Sequence, residues 1–216
     1  MTAVMLSLLG RPLRDAVEQC LRSAASGATV RGRALSVWLS GDLARPYLFG
    51  PVHGLRGWAE AHTAAKGIAL QTCGIDAPCH LVLEGDPSLH CVLGTVVRDE
   101  VIEVLYRTAA ALRLRIKSIR PAWAEALDQA PAASGGAALV ACHDADSSTL
   151  IGWLGDEINL ASTYSPRPRA GEIDSLLQRL QVSRDLTPQA MVTATISVAG
   201  NGTPILSWSG VEPVAA

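Results

Sequence analysis

The sequence has no large excess of charge of either sign and no long hydrophobic run. Eighteen Lys and Arg residues stand against twenty Asp and Glu residues, which leaves a formal net charge of −2 at pH 7. A general nucleic-acid binder carries a clear basic excess, so a nucleic-acid partner is not expected. No stretch approaches the roughly 18–20 apolar residues of a membrane-spanning helix. We therefore expect membrane association only through a partner.

Cysteine is scarce, and its pattern does not suggest pairing. The five cysteines are odd in number and irregular in spacing, which disfavours a disulfide framework and favours a reducing compartment. The apolar segment Ala3 to Leu9 lacks a basic region and a cleavage site, so it does not resemble a secretory signal. These features predict a cytoplasmic protein, peripheral at the inner membrane if a partner holds it there.

The common catalytic motifs are also missing. The sequence contains no P-loop, no G-x-G-x-x-G after a strand and no G-x-S-x-G nucleophile elbow. Ser40 precedes Gly41-Asp42, where a turn accounts for it better than catalysis does. No residue is therefore assigned a catalytic role, and we interpret the chain as a binding and assembly module rather than an enzyme.

One cluster leaves a metal-dependent enzyme of unknown reaction open as an alternative. Cys73, Cys79, His80, His90 and Cys91 lie close together in the sequence. Structural zinc usually uses a close pair such as C-x₂₋₄-C, whereas adjacent residues of a strand point to opposite faces. The pattern favours buried cysteines that act as small hydrophobic residues, and no residue is assigned to a metal.

Hydrophobic residues make up 49% of the chain, which is enough for a folded core. Short alternating runs, typical of strands, are separated by runs of helical spacing. Gly67 is predicted to end one helix, and Asp99 to cap the next. The pattern predicts a mixed sheet with helices packed on its faces. The predicted strands are Leu35–Leu39, Tyr47–Phe49, His80–Glu84, Leu89–Gly94, Ile116–Ile119, Ala138–Cys142, Leu150–Leu154, Ile158–Ser162, Val192–Val198 and Ile205–Trp208; the predicted helices are Leu13–Ala24, Leu55–Ala65, Val101–Leu112, Pro121–Leu127 and Ile173–Leu180.

Two features bear on domain organisation and contact surfaces. The stretch 131–136 contains only Pro, Ala, Ser and Gly, so we predict two lobes, residues 1–130 and 138–216, with a linker at 131–137. Trp38 and Trp153 lie on strand faces opposite the leucine rows, and one of them is expected to be partly exposed as a contact surface.

The densest basic stretch runs from Arg107 to Arg120 and includes Arg113, Arg115 and Lys117. We interpret it as the solvated end of a helix that runs into an edge strand. A docking patch for an acidic partner is the alternative.

Three stretches carry a family resemblance. They are RALSVWLSGDLARPYLFGP (33–51), CHLVLEGDPSLHCVLGTVVRDEVIEVLYRTAAALRLRIKSIRPAWAEAL (79–127) and AALVACHDADSSTLIGWLGDEINLAST (137–163). They resemble the actin-like cytoplasmic proteins of bacterial type IV pilus and type II secretion assembly platforms. The first has a strand, a small polar turn and an Arg-x-x-Leu-like strand, and the second ends in a "gl.l..i.P" pattern at Leu112 to Pro121. The resemblance implies an α/β actin-like (ribonuclease H-like) fold with two lobes.

The third stretch looks like the hairpin that carries the family's phosphate-contacting turn, but it departs from the pattern. Active actin-like ATPases have Asp-x-Gly-x-x-Ser/Thr, in which glycine lets backbone amides approach phosphate. Here residues 144–149 are Asp-Ala-Asp-Ser-Ser-Thr, with no glycine and an additional carboxylate. Like charge opposes phosphate binding. If ATP and Mg²⁺ do bind, the resemblance places them on Asp144, Asp146, Ser147, Ser148 and Thr149.

The resemblance thus implies a degenerate ATPase that serves as a non-catalytic cytoplasmic scaffold for protein components of a pilus or secretion platform, without a cofactor. An actin-like nucleotide-binding protein or ATPase with an atypical phosphate turn stays open, as does the metal-dependent enzyme. The identity of the partner and a homodimeric state also stay open.

Overall fold

The computed structural model describes residues 2–26, 34–87, 90–130, 137–154, 157–168, 172, 175, 190–199 and 203–212. In chain order, the elements are β1 (Thr2–Leu6), α1 (Leu13–Ser26), β2 (Ala34–Leu39), β3 (Ala44–Phe49), α2 (Trp58–Cys73), β4 (Cys79–Glu84), β5 (Val92–Arg98), α3 (Asp99–Ala111), β6 (Arg115–Pro121), α4 (Ala122–Asp128), β7 (Ala137–His143), β8 (Ser148–Leu154), β9 (Glu157–Tyr164), β10 (Ala190–Val198) and β11 (Pro204–Glu212).

The strands form three sheets. One is parallel, with the order β1-β2-β6, and the second is antiparallel, with the order β3-β5-β4. The third has the order β11-β10-β7-β8-β9, in which the β7–β10 pair is parallel and the other pairs are antiparallel. All the described strands after residue 136 therefore belong to one mixed sheet, and its edge strand β9 lies beside β3.

Both faces of the parallel sheet are covered, as is usual for parallel strands. Helices α1 and α3 cover one face with a cluster of aliphatic side chains that includes Val17, Leu21 and Leu105. On the other face, Met5 and Trp38 pack in a cluster that also contains side chains of α4 and of the five-stranded sheet. This second cluster joins the first and last parts of the chain through buried apolar surface, which is the main source of folding stability.

Helix α2 packs on the antiparallel sheet through a row of small residues. Its buried residues are Ala61, Ala65, Ala69 and Cys73, which lie four apart and therefore on one helical face. The prediction that Gly67 ends this helix is wrong, because the buried row continues beyond Gly67. The helix ends instead at Gly74, which adopts the left-handed conformation with φ 62° that glycine tolerates without a steric penalty.

The predicted hairpin after residue 79 is confirmed, with a shifted second strand. β5 covers Val92–Arg98 instead of Leu89–Gly94, and Glu84 pairs with Leu93. Asp99 is the first helical residue of α3 rather than its cap. Its carboxylate lies 3.0 Å from Nδ1 of His80. It is also favourably placed in the first turn of the helix, where the helix dipole stabilises negative charge.

Strand β6 contains a bulge at Lys117. Leu35 of β2 pairs with Ile116, but the next residue, Ser36, pairs with Ser118. In a regular strand Ile116 and Ile119, which are three residues apart, would point to opposite faces. The additional residue at the bulge shifts the alternation by one position. Both isoleucines therefore pack against the α1–α3 cluster.

Several sequence predictions concern other places in the fold. Strand β1 was not predicted, because the segment is uniformly apolar and does not alternate. Residue 137 of the predicted linker is the first residue of β7, and residues 131–136 lie outside the described part of the chain. Of the predicted helix Ile173–Leu180, only residue 175 is described, and it is helical. Trp38 is buried and Trp153 partly buried, whereas Trp58 is 56% exposed.

No helix within the described residues is both long and apolar enough to cross a membrane.

Candidate functional site

The turn that follows β7 is organised around the carboxylate of Asp144. Oδ1 accepts hydrogen bonds from the backbone N–H groups of Asp146 (2.9 Å) and Ser147 (2.7 Å). Oδ2 accepts one from the Ser147 hydroxyl (2.8 Å) and one from the Gly41 N–H (2.8 Å). Asp144 is only 3% exposed. A buried carboxylate requires such partners because an isolated buried charge is very costly.

The donor Gly41 belongs to the turn after β2, which lies directly against the turn after β7. A Cβ atom at Gly41 would lie 2.4 Å from Oγ1 of Thr149 and 2.7 Å from Oγ of Ser147. Both distances are shorter than a van der Waals contact. The two turns therefore pack so closely that only a glycine fits at position 41, and the Asp144 carboxylate fills the space between their donors.

A second carboxylate of the same turn contacts the turn after β1. Oδ2 of Asp146 accepts hydrogen bonds from the Ser7 hydroxyl and from the Leu9 N–H, the latter at 2.8 Å. Leu9 and Gly10 both have positive φ, 49° and 73°, so this turn is sharply bent. We call the three turns together, residues 7–9, 40–42 and 143–149, the polar junction.

The three hydroxyl groups that the sequence proposed as phosphate contacts are engaged within the protein. Ser147 donates to Asp144, as described above. Oγ of Ser148 lies 2.8 Å from Nδ1 of His143, and Oγ1 of Thr149 lies 3.0 Å from Oγ1 of Thr163. All three residues are at most 1% exposed. Their side chains are therefore enclosed by the protein and are not accessible at its surface.

Burial shifts the ionisation of two groups in the polar junction. It raises the pKa of Asp144, and the four hydrogen bonds to the carboxylate act in the opposite direction. It lowers the pKa of His143, and the positive charge of Arg167 adds to this effect. His143 is therefore neutral at pH 7 and carries one ring proton. Its Nδ1 either donates that proton to the Ser148 hydroxyl or accepts the hydroxyl proton, according to the tautomer.

The structure thus brings all five predicted residues, Asp144, Asp146, Ser147, Ser148 and Thr149, to one place. Asp144 is buried between the turns, whereas the additional carboxylate of Asp146 is partly buried and contacts the turn after β1. Sequence reasoning missed Gly41, Ser7 and Leu9 as partners. The small turn Ser40-Gly41-Asp42 was a usable signal for the first of these.

The cysteine and histidine cluster does not assemble into a metal centre in the described residues. No group of three or more His, Cys, Asp or Glu side chains there is placed to hold a metal ion. Cys73 and Cys79 lie in the core beneath α2. Burial raises the pKa of the Cys73 thiol to about 11, so it is protonated at pH 7 and is a poor metal ligand.

Comparison with solved structures identifies the fold of the chain, whereas comparison by sequence does not. By sequence, the chain matches no protein-family profile and no curated protein. A Bacteroides thetaiotaomicron protein with an actin-like ATPase fold and unknown function matches at a TM-score of 0.56 and 7% identity, over 86% of this chain and 77% of that one.

Two further solved structures are similar. The cytoplasmic domain of EpsL, an inner membrane component of the type II secretion system of Vibrio cholerae, has a TM-score of 0.50 and 13% identity, over 86% of this chain and 70% of that one. A PilM–PilN type IV pilus biogenesis complex has a TM-score of 0.46 and 16% identity, over 81% and 52%. The fold assignment rests on the first two structures. The α/β actin-like fold predicted from the sequence is confirmed.

Proposed function

We propose that this chain is a non-catalytic cytoplasmic scaffold that binds protein components of a bacterial pilus or secretion assembly platform, and that it binds no nucleotide. The observation that carries the proposal is that the three hydroxyl groups predicted to contact phosphate are buried and bonded within the protein. They belong to Ser147, Ser148 and Thr149.

The energetics of the polar junction support this reading. A phosphate group at this place would have to displace the hydrogen bonds of these three hydroxyl groups. It would also lie beside the additional carboxylate of Asp146, whose like charge opposes it. Each hydrogen bond contributes roughly 0.5–1.5 kcal/mol, so their loss is a sizeable share of the net stability of a typical domain, which is about 5–15 kcal/mol.

The partner class is supported by the similarity to the cytoplasmic domain of EpsL, which is described as an inner membrane component of a type II secretion system. We infer that this chain binds a platform component on the cytoplasmic side of the inner membrane and reaches the membrane only through it.

The nucleotide part of the proposal is tested by thermal unfolding with 1 mM Mg-ATP or Mg-ADP, with MgCl₂ alone as the reference. A ligand at 100 times its Kd stabilises the folded state by about 2.7 kcal/mol, which is roughly 5–10 °C for a chain of this size. We expect no shift. A reproducible shift that requires nucleotide would show that the proposal is wrong.

The variant Asp146→Gly is an informative companion, because it restores the Asp-x-Gly-x-x-Thr pattern at residues 144–149. We expect no nucleotide shift for this variant either, because the hydroxyl groups of Ser147, Ser148 and Thr149 stay engaged within the protein. A shift in Asp146→Gly alone would assign the loss of binding to the missing glycine rather than to the buried hydroxyl groups.

The partner part is tested by cross-linking in the native cell followed by purification of a tagged chain and identification of the cross-linked proteins. We expect components of a pilus or secretion platform to be enriched over an unrelated tagged cytoplasmic protein. Cross-links only to proteins outside such platforms would refute the partner class and leave the nucleotide result unaffected.

A further inference from the structure

The start of β6 and the turn before it carry a cluster of positive charges. Arg113, Arg115 and Lys117 are exposed, and Leu114 and Ile116 between them are partly buried against the α1–α3 cluster. We call these three cations the basic edge. Arg115 and Lys117 lie two residues apart on the strand, and Arg113 precedes it in a turn with φ 56°.

These cations have no carboxylate partner within the described part of the chain. No Asp or Glu side chain there lies within 4.0 Å of Arg113, Arg115 or Lys117. The next basic residue differs clearly, because Arg120 pairs with both Glu125 and Asp128. The chain therefore neutralises the end of β6 itself and leaves the start of β6 charged.

The edge is also open in the topology. Within the described residues, β6 pairs only with β2, and the other side of β6 has no neighbouring strand. An open edge offers unpaired backbone groups to another extended chain. A second copy of β6 is a poor partner, because cations of the two copies would face each other.

A cavity lies next to this edge on the face of the sheet opposite α1 and α3. Its volume is about 460 Å³, and its lining includes Ser36, Trp38, Lys117 and Ser118. The hydroxyls of Ser36 and Ser118 lie 2.7 Å apart and satisfy each other. Arg120 and Glu125 also line the cavity and pair with each other. Lys117 is therefore the cation of this lining without a carboxylate partner in the described part of the chain, and the cavity can take one side chain of a bound segment.

We infer that the basic edge is the docking surface for an extended acidic segment of a partner protein, with carboxylates at alternate positions. This inference rests on the proposed scaffold function and names the surface that performs it. Carboxylates spaced two residues apart match the spacing of Arg115 and Lys117 on the strand, and opposite charges on adjacent extended chains attract. Arg113 adds a third positive charge at the start of the strand. The basic edge selects an acidic segment and rejects another copy of this chain.

The test uses two synthetic peptides of one composition, the first with Glu at alternate positions between Val and Thr, the second with all Glu residues in one block. Binding to the full chain is measured by fluorescence anisotropy at low and physiological salt. We expect the alternating peptide to bind more tightly than the block peptide, and binding to weaken as salt rises. The double variant Arg115→Glu/Lys117→Glu should bind the alternating peptide at least about tenfold more weakly.

The matched control is Arg14→Glu/Lys66→Glu, which makes the same charge change at exposed positions of α1 and α2. It should leave binding unchanged. Equal losses of affinity in both double variants, or equal binding of the two peptides, would show that binding depends only on net charge. Either result would overturn the inference. Absence of peptide binding at millimolar concentration would also overturn it, as would binding only to vesicles that contain phosphatidylglycerol. None of these outcomes affects the nucleotide result or the cross-linking result for the proposed function.

Discussion

The polar junction and the basic edge differ in how the chain treats their charges. At the junction, the Asp144 carboxylate is 3% exposed and accepts four hydrogen bonds from its own chain. At the edge, Arg115 and Lys117 are exposed and no described carboxylate pairs with them. A buried charge has to be satisfied for the protein to fold, whereas an exposed charge is solvated by water and costs little.

The difference separates stability from recognition. Substitutions at the junction should change the free energy of unfolding, because its residues are largely buried. For the same reason the junction offers little surface to a partner. Substitutions at the edge should change binding and leave the free energy of unfolding almost constant. The following substitutions test this contrast.

The largest effect is expected for Asp144→Ala. It removes the acceptor for the Gly41 N–H, two further N–H groups and the Ser147 hydroxyl. Buried donors left without an acceptor cost about 1–3 kcal/mol each, in part relieved by relaxation. We expect a loss of about 3–5 kcal/mol in the free energy of unfolding, measured with urea. The exposed control Asp76→Ala should change it by less than about 0.5 kcal/mol; equal effects would contradict the role of Asp144.

The next effect is expected for Gly41→Ala, whose Cβ would collide with Thr149 and Ser147. Overpacking of this kind typically costs about 1–3 kcal/mol. Thr149→Ala in the same chain should recover part of the loss, and strictly additive effects would argue against the close approach. Gly67→Ala is the control, because nothing lies within 4 Å of its added Cβ; it should stabilise α2 by about 0.5–1 kcal/mol.

A pH-dependent effect of intermediate size is expected from His143. Its pKa is lowered in the folded protein by burial and by Arg167, so the unfolded chain binds the proton first as the pH falls below about 6.5. Stability should then decrease with acidification, by at most about 1.4 kcal/mol per pH unit.

The comparison that isolates His143 is the melting temperature of the wild type and of His143→Gln between pH 7.5 and 5. Asp144 titrates in the opposite sense, since its folded pKa is raised, and it contributes equally to both proteins. Parallel pH profiles would show that His143 does not contribute to the pH dependence.

A smaller effect is expected for Asp146→Ala. This residue is only half-buried, and its carboxylate accepts two hydrogen bonds, from Ser7 and Leu9. We expect a loss of about 0.5–1.5 kcal/mol, clearly below that of Asp144→Ala. Asp146→Asn keeps one acceptor oxygen and should retain part of the stability. A loss as large as that of Asp144→Ala would show that the two carboxylates are equivalent.

The smallest effect on stability is expected for Arg115→Glu/Lys117→Glu. Both side chains are exposed and lack a described partner, so the free energy of unfolding should change by no more than about 0.5 kcal/mol. A much larger change in denaturant unfolding would mean that the basic edge has a structural role.

Local patterns in the sequence were sufficient for much of the fold. Alternation located β2, whose aliphatic residues alternate with Ser36 and Trp38, although both of its faces are buried. It also located the β4–β5 hairpin, because β4 alternates between more buried and exposed residues. Alternation failed for β1, which is mostly apolar and buried. The prediction that Gly67 ends α2 was wrong because the buried alanine row continues on the opposite side of the helix. A single glycine on an exposed face costs less than the packing of that row provides.

The candidate site was predictable only in part. Residues 144–149 are contiguous, so their resemblance to a phosphate-contacting turn was visible in the sequence. Their partners were not, because the Gly41 N–H and the Leu9 N–H lie 103 and 137 residues away from the carboxylates that they contact. Contacts of this kind depend on how the sheets are assembled, and neither periodicity nor spacing encodes them.

The four-donor site around Asp144 can also be viewed as a receptor whose ligand is covalently attached. A group tethered by a short segment has an effective concentration in the millimolar range or above, and it is never lost by dilution. The contact between the two turns is therefore maintained by the chain itself, which makes Asp144 a permanent structural support between them.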